Sequence, residues 1–569
     1  MLHPLRLLPC MPLMTGLLAG ADADLILHNG KILTVDAKFS IVQAVAIKGG
    51  RFVAVGDDRA VLAERGSRTK VVNLRGQTVV PGLMDSHVHP LEGGLSEFRE
   101  SLPVLDSYDA IRNYIREQAK KTPKGQWIIV PRTFPTRLKE LRMPTREVLD
   151  VATEHPVMLD ASYVVVANTL ALKISGITRN TSNPPRGEIV HDEHGEPNGI
   201  LKNAQSLLKG LKPAVPFTPE EKLRALEKML SLYRASGLTC IGDGAVGQEE
   251  IALFEKLKAQ GRLPIRVVMT WWNDASRPLV ALKREVESKP YTTNTGDEWL
   301  KFGAYKINFD GGMTIGTAYQ RHPYGPFGRQ LYGKTNPDDR GQLFQPYDKL
   351  LDVLRVAHRK GWALTAHAQG GGAIDLFLDA MEALNREKPI APTRSHLIHA
   401  SFQSPEAIAR MKKLGILGDV QAAWLYCDAP ALEKVFGVEG MRYFFPLRSY
   451  IDAGVIVAGG SDHMIGWDRN RAINPYNPFH GMWVSVTRKT VRGSVIQPQE
   501  RISREEALKM YTIWAAYRMF SEKARGSIER GKLADLVVID RDYLTCPDDE
   551  ITKIEPVMMV LDGKVAFQR

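Results

Sequence analysis

The feature that most narrows the possible folds of this chain is an alternation. From about residue 81 to 510, short apolar runs that read as strands are separated by amphipathic stretches that read as helices. The strand-like runs are "TVVPGLMDSHVH", "LTCIGDG", "PIRVVMTWW", "KFGAYKINFD", "WALTAHAQG", "SHLIHAS", "LGDVQAAW" and "VIVAGGSDH". "SYDAIRNYIREQAKK", "TPEEKLRALEKMLSLYRASG" and "YDKLLDVLRVAHRKG" carry apolar residues at helical spacing behind good N-terminal residues. Repeated β-then-α units require a parallel sheet, because parallel neighbours need a long crossover. This many units close on themselves, so the expected class is α/β, a distorted (β/α)8 TIM barrel. The stretch from about 91 to 235 is too long for one βα unit and is expected as an inserted subdomain after the first barrel strand.

The two ends of the chain have another texture. "DLILHNGKILTVD" and "AVAIKGGRFVAVGDD" near the start, and "ADLVVID" and "VMMVLDGKVAFQR" near the end, are short β-rich runs. Asn29-Gly30, Gly49-Gly50 and Asp562-Gly563 between such runs are hairpin signals. Head and tail read most economically as one β-sandwich interrupted by the barrel. The expected divisions are a leader over 1–23, sandwich over 24–80, barrel over 81–525 and sandwich again over 526–569. In the leader, Arg6, an apolar stretch to Leu18 and Ala21-Asp22-Ala23 resemble an export signal with a small-x-small cleavage site. Periplasmic or secreted protein is expected; an unprocessed cytoplasmic extension is the alternative. The segment is too short for a stable membrane span.

The net charge of +11 is dispersed, with no basic stripe interleaved with aromatics, so a nucleic-acid partner is not expected. Cys10, Cys240, Cys427 and Cys546 show neither thiolate-metal spacing nor a disulfide framework. A small-molecule substrate is the expected partner, and the sequence leaves a homo-oligomer open.

Barrel active sites lie at the C-terminal strand ends. In "DSHVH", His87 and His89 share a strand face, since i and i+2 point the same way. In "KFGAYKINFD", Ala304, Lys306, Asn308 and Asp310 share the face opposite the main apolar residues, which turns Lys306 inward. His367 ends "WALTAHA"; His399 is closer than His396 to the end of "SHLIHAS"; Asp462 ends "VIVAGGSDH", with His463 pointing away. One inward polar side chain arrives per strand end. Imidazoles and carboxylates suit a divalent ion, zinc first, with manganese, iron and nickel also compatible.

These stretches resemble the amidohydrolase superfamily, specifically its YtcJ-like group of metal-dependent hydrolases. The likeness runs over nearly all of 24–569 and is carried by "VVPGLMDSHVHP", "NTLALKISGI", "RGEIVHDEHGEPNGIL", "KINFDGG", "TAHAQGGGAID", "IHA", "GGSDH" and "GSIERGKLADLVVID". The resemblance implies a centre of one or two ions. His87, His89 and Asp462 would hold the first, His367 and His399 the second, and a carbamylated Lys306 would bridge them. It implies hydrolysis of an amide-type C–N bond, with Asp462 as general acid and base. Three departures from the pattern, Asp160-Ala161-Ser162, Gly371 in "HAQGGGA" and Ile398 before His399, fall where substrate would sit. Substrate identity therefore does not transfer. In the segment 319–333, Tyr324, Phe327 and Arg329 are candidates for selecting an aromatic or anionic substrate; an ordered structural loop is the other reading. A catalytically silent scaffold, and a hydrolase of esters, cyclic imides or aryl amines, remain open alternatives.

Overall fold

The computed structural model describes residues 22–185, 187–211 and 215–569. The expected leader, up to residue 21, lies outside the described residues. Eight strands form one parallel sheet in chain order: β1 Leu83–Val88, β2 Leu238–Val246, β3 Arg266–Trp272, β4 Leu300–Asn308, β5 Ala363–Ala368, β6 His396–His399, β7 Leu417–Gln421 and β8 Val457–Gly460. The sheet closes on itself. Val88 and His463 form a parallel bridge. Asp462 N–H donates to the His87 carbonyl at 2.8 Å, and His89 N–H donates to the His463 carbonyl at 2.8 Å. Closure is thus what brings residues near 88 and near 462 together.

The outer helices form where the apolar stripe and the caps agree. The helix Tyr347–Lys360 buries Leu350, Val353, Leu354 and Ala357 on one face and stops at Gly361, whose φ of +99° favours glycine. The helix Pro219–Ala235 starts with a capping box between Thr218 and Glu221 and proline in its first turn. Between β1 and that helix, a five-stranded sheet spanning 128–202 forms the inserted subdomain.

Both chain ends meet in one six-stranded sheet. Thr78–Pro81 pairs antiparallel with Leu536–Ile539, Val80 opposite Val537. A four-stranded sheet from the head packs over it, and Leu25, Leu27, Val45 and Phe52 share a core with Leu536, Val538 and Val560. Each such buried side chain contributes about 1.5–3 kcal/mol. Gly49-Gly50 and Asp562-Gly563 turn antiparallel hairpins. Asn29-Gly30 does not, contrary to expectation. Leu25–His28 lies in the four-stranded sheet and Lys31–Leu33 in the six-stranded one. Leu27 and Ile32 both face the core between the sheets, so the chain keeps its apolar faces inward by changing sheets.

Among the described residues, no helix is long and apolar enough to cross a membrane. Cys240, Cys427 and Cys546 are free.

Candidate metal centre

At the C-terminal end of the barrel, His87, His89 and Asp462 converge, with one ligand atom from each lying within 4.8 Å of the others. His87 Nε2 and His89 Nε2 stand 3.4 and 3.3 Å from the same oxygen, Asp462 Oδ1. His399 extends the group: its ring centre is 5.5 Å from that of His87 and 4.5 Å from that of His367. Lys306 is buried on β4, and no hydrogen bond engages its ammonium among the described residues. Two of these residues take a strained backbone. His399 has φ +70° and Asp462 φ +55°, a region uncommon outside glycine that recurs at functional sites. Asp462 is held there by its carbonyl, which accepts from Asn474 Nδ2 at 2.8 Å, and by Oδ2, which accepts from the Trp424 indole at 3.0 Å.

The site is built for a cation. Neither ring nitrogen of buried His87 makes a well-formed hydrogen bond among the described residues, and Nε2 only faces Asp462 Oδ1 at 3.4 Å, a costly arrangement unless a ligand is meant to satisfy one of them. Burial, aided by Lys306, holds His87 well below the usual histidine range; burial, with His367, does the same to His399. Both imidazoles therefore keep free lone pairs. Burial alone would raise Asp462, but the His87 and His89 imidazoles facing its carboxylate outweigh it and hold the carboxyl well below the carboxylate range. For His89 burial is outweighed by Asp462, which raises it, so a cation would compete with a proton for this nitrogen. Burial pulls Lys306 down to about 8, against the carboxylates of Asp462, Asp419 and Asp243. Three nitrogen or carboxylate donors with a second pair of imidazoles fit one or two divalent ions.

Partners behind the ligands set their orientation. Asp310 is fully buried and its carboxylate accepts from the backbone N–H of Tyr319, Gln369 and Gly370; one oxygen lies 3.2 Å from His367 Nδ1. Gln421 Oε1 lies 2.8 Å from His399 Nδ1, and its amide nitrogen is anchored on Asp419, itself paired with buried Arg518. Each contact engages Nδ1 and leaves Nε2 as the free ligand atom, and His399 Nδ1 also lies 4.0 Å from Asp462 Oδ2. Asp243, at the end of β2, is a further buried carboxyl, pushed up to about 7 by burial against the pull of His89. The sequence reading placed Asp310 on the inward face without a role and missed Gln421, Trp424 and Asp243. The signal for Asp243 and Gln421 was their place at strand ends, in "LTCIGDG" and "LGDVQAAW".

Two histidines are occupied elsewhere. His463 turns away, held by the Tyr233 hydroxyl and the Gly466 carbonyl, both at 2.7 Å. His396 sits deeper on β6, in register with Thr365 and through it with Lys306, with Nδ1 3.3 Å from the Arg394 carbonyl. The substrate candidates in 319–333 stand apart from the ligand cluster. Gly325–Tyr332 is a helix, and Tyr324 is buried in a satellite core with Leu141, Leu331 and Ala431, its hydroxyl donating to the Ala318 carbonyl. Phe327 packs on the same core, and Arg329 is half-buried on that helix; none of the three touches a ligand of the cluster.

The geometry leaves no slack around His87. A Cβ at Gly244 would meet His87 Cε1 at 2.3 Å and Nε2 at 2.5 Å. Gly244→Ala is therefore expected to push the ring off the centre and weaken metal binding about 10- to 100-fold. Zinc titration followed alongside thermal unfolding checks this, and metal affinity equal to that of the wild type would contradict it.

Comparison with known proteins agrees with this geometry. The Amidohydrolase family matches residues 70–567. The chain is 31% identical to the N-substituted formamide deformylase of Arthrobacter pascens over 96% of this chain and 98% of the relative. It is 28% identical to YtcJ of Bacillus subtilis (strain 168), over 96% and 99% of the two chains. Among solved structures, an uncharacterized metal-dependent hydrolase from Pyrococcus horikoshii OT3 shares the fold with a TM-score of 0.67 at 21% identity, over 92% of this chain and 99% of that one. The chain belongs to the amidohydrolase family of metal-dependent hydrolases, which act on carbon–nitrogen bonds other than peptide bonds.

Proposed function

We propose that this chain hydrolyses an amide-type C–N bond of a small molecule, with zinc held by His87, His89 and Asp462 and a second ion by His367 and His399. The observation that carries the reading is the buried convergence of His87, His89 and Asp462, with neither His87 nitrogen in a well-formed hydrogen bond. A divalent ion bound there brings the pKa of water to near neutrality and polarises a carbonyl. The protein's own part follows from Asp462. One of its oxygens faces the two histidines and the other lies on Trp424, so the carboxylate is oriented and ionised before substrate arrives. Asp462 takes the proton of the attacking water and delivers it to the departing nitrogen, without which an amine is a poor leaving group. His89 and His367 are the ligands with open surface, at 19% and 12% side-chain exposure, so substrate approaches between them. Lys306 would act as a carbamate: its neutral amine adds to carbon dioxide and loses one proton, which would give an anion able to help hold the ions. Buried without a partner as an ammonium, it would instead repel them. The leader proposal stands beside this reading, with export of the mature chain.

The relative named for N-substituted formamides makes formamides the first compounds to try. Zinc-loaded protein is expected to hydrolyse N-formyl or N-acyl amides and to lose that activity to a chelator. Turnover confined to esters, cyclic imides or aryl amines would overturn the amide assignment, and failure with every compound would overturn hydrolysis altogether.

A further inference from the structure

Between the inserted subdomain and the barrel lies a cavity of about 930 Å³. Its walls include Leu91 and Glu92, just after His89, and Ile465 and Gly466, just after His463. Phe134, also in the wall, lies with its ring centre 6.2 Å from that of Trp424, the residue that holds Asp462. The cavity therefore ends on Phe134, one side chain behind the Trp424 that touches the proposed base. Leu91, Leu95, Leu102, Leu105, Phe134 and Trp467 give it an apolar body.

Its charge runs against that of the whole chain. The sequence carries +11, yet this wall holds seven carboxylates and four cations. Most are neutralised locally. Arg132 is shared by Glu92 and Asp160, Lys222 pairs with Glu249, Asp106 with Lys139, and Arg137 with Asp428. Three carboxylates have no cation partner among the described residues and are held by backbone N–H groups instead: Glu97 by Leu102 and Trp467, Glu250 by Gly247, and Asp468 by Asn470. Only Arg471 opposes them without a partner of its own. Glu97 and Glu250 are half-buried and so less screened than the exposed Asp468 and Arg471, and like charges there oppose an anionic ligand.

We infer that this cavity receives the arm of the amide substrate and selects apolar arms that are neutral or end in a cation, against arms that end in a carboxylate. The inference rests on the amidohydrolase reading above. It replaces anion selection by Arg329, which lies on another helix.

Three amides with one acyl group and equally long arms ending in a trimethylammonium, a methyl and a carboxylate test it on the zinc-loaded protein at low salt. kcat/KM for the carboxylate arm is expected to fall about tenfold or more below the methyl arm, with the cationic arm equal to it or better. In the triple variant Glu97→Gln, Glu250→Gln, Asp468→Asn, the amide oxygens at 250 and 468 can still accept their backbone N–H groups. At 97 only one of the Leu102 and Trp467 N–H groups keeps its acceptor. Thermal unfolding beside the wild type and the double variant Glu250→Gln, Asp468→Asn therefore checks that the walls stay in place. The carboxylate penalty, read as the ratio of kcat/KM for the methyl arm to that for the carboxylate arm, should then shrink about tenfold. Turnover of all three amides without a charge preference, or a penalty that survives in the triple variant, would overturn the inference and leave the hydrolase reading intact. If none is turned over, the hydrolase reading fails. Calorimetry with benzyltrimethylammonium and benzoate then decides the cavity separately: tighter binding of the cation supports it, and equal or reversed affinities overturn it.

Discussion

Asp462→Asn lowers turnover by roughly 10²- to 10⁴-fold, the range expected when a positioned acid–base group is removed. Asparagine matches aspartate in shape and tolerates the left-handed backbone that position 462 requires, at φ +55°. Its amide oxygen can still accept from Trp424 Nε1. What it lacks is the charge facing His87 and His89 and the capacity to take a proton. Metal content therefore falls less than turnover, and elemental analysis beside a steady-state assay at saturating zinc separates the two. Near-normal turnover with metal in place would remove Asp462 from the proton path.

The barrel was legible because its signal is local and repeated: each strand-then-helix unit announces itself, and closure follows from their number. The composite sandwich was legible from texture alone, since two β-rich ends of one chain each need a partner sheet. The convergence of His87 and His89 with Asp462 was legible only through that closure, because the bridge from Val88 to His463 joins residues at opposite ends of the barrel sequence. Residues behind the ligands were not. Gln421 meets His399 because β6 and β7 are neighbours at a particular register, and a side-chain pairing of that kind leaves no mark on a single sequence. Asp310 looked like one more polar residue on a strand face, whereas its role comes from three backbone N–H groups in two separate loops. The helix within 319–333 leaves a stripe in the sequence. Positions 324, 327, 328, 331 and 332 have helical spacing, and the glycines and aromatics of the segment obscured that stripe. Asn29-Gly30 misled for a different reason: the dipeptide specifies a left-handed turn, but which sheet the next strand joins is decided by the shared core.

Lys306→Ala abolishes measurable turnover and lowers metal occupancy, most at the position served by His367 and His399. The side chain is buried on β4 within the field of Asp462, Asp419 and Asp243, and as an ammonium it would oppose any cation in the cluster. As a carbamate it reverses sign and supplies oxygens to two ions at once. Removing it leaves a gap of defined shape and a deficit of negative charge. Formate or acetate added with zinc therefore restores part of the activity, and reconstitution of the wild-type protein improves with bicarbonate. A mass increase on the peptide containing Lys306, or density beyond its amine, gives direct support. A variant that held its metal and turned over normally would restrict the centre to His87, His89 and Asp462.

The most direct test of the metal centre is a zinc titration of metal-depleted protein, with bound ion by elemental analysis and amide turnover read on the same samples. Turnover is expected to start from zero, rise in step with bound zinc and level off at about one or two ions per chain. Full turnover by the metal-free protein, or zinc binding that leaves turnover unchanged, would contradict a catalytic centre at His87, His89 and Asp462.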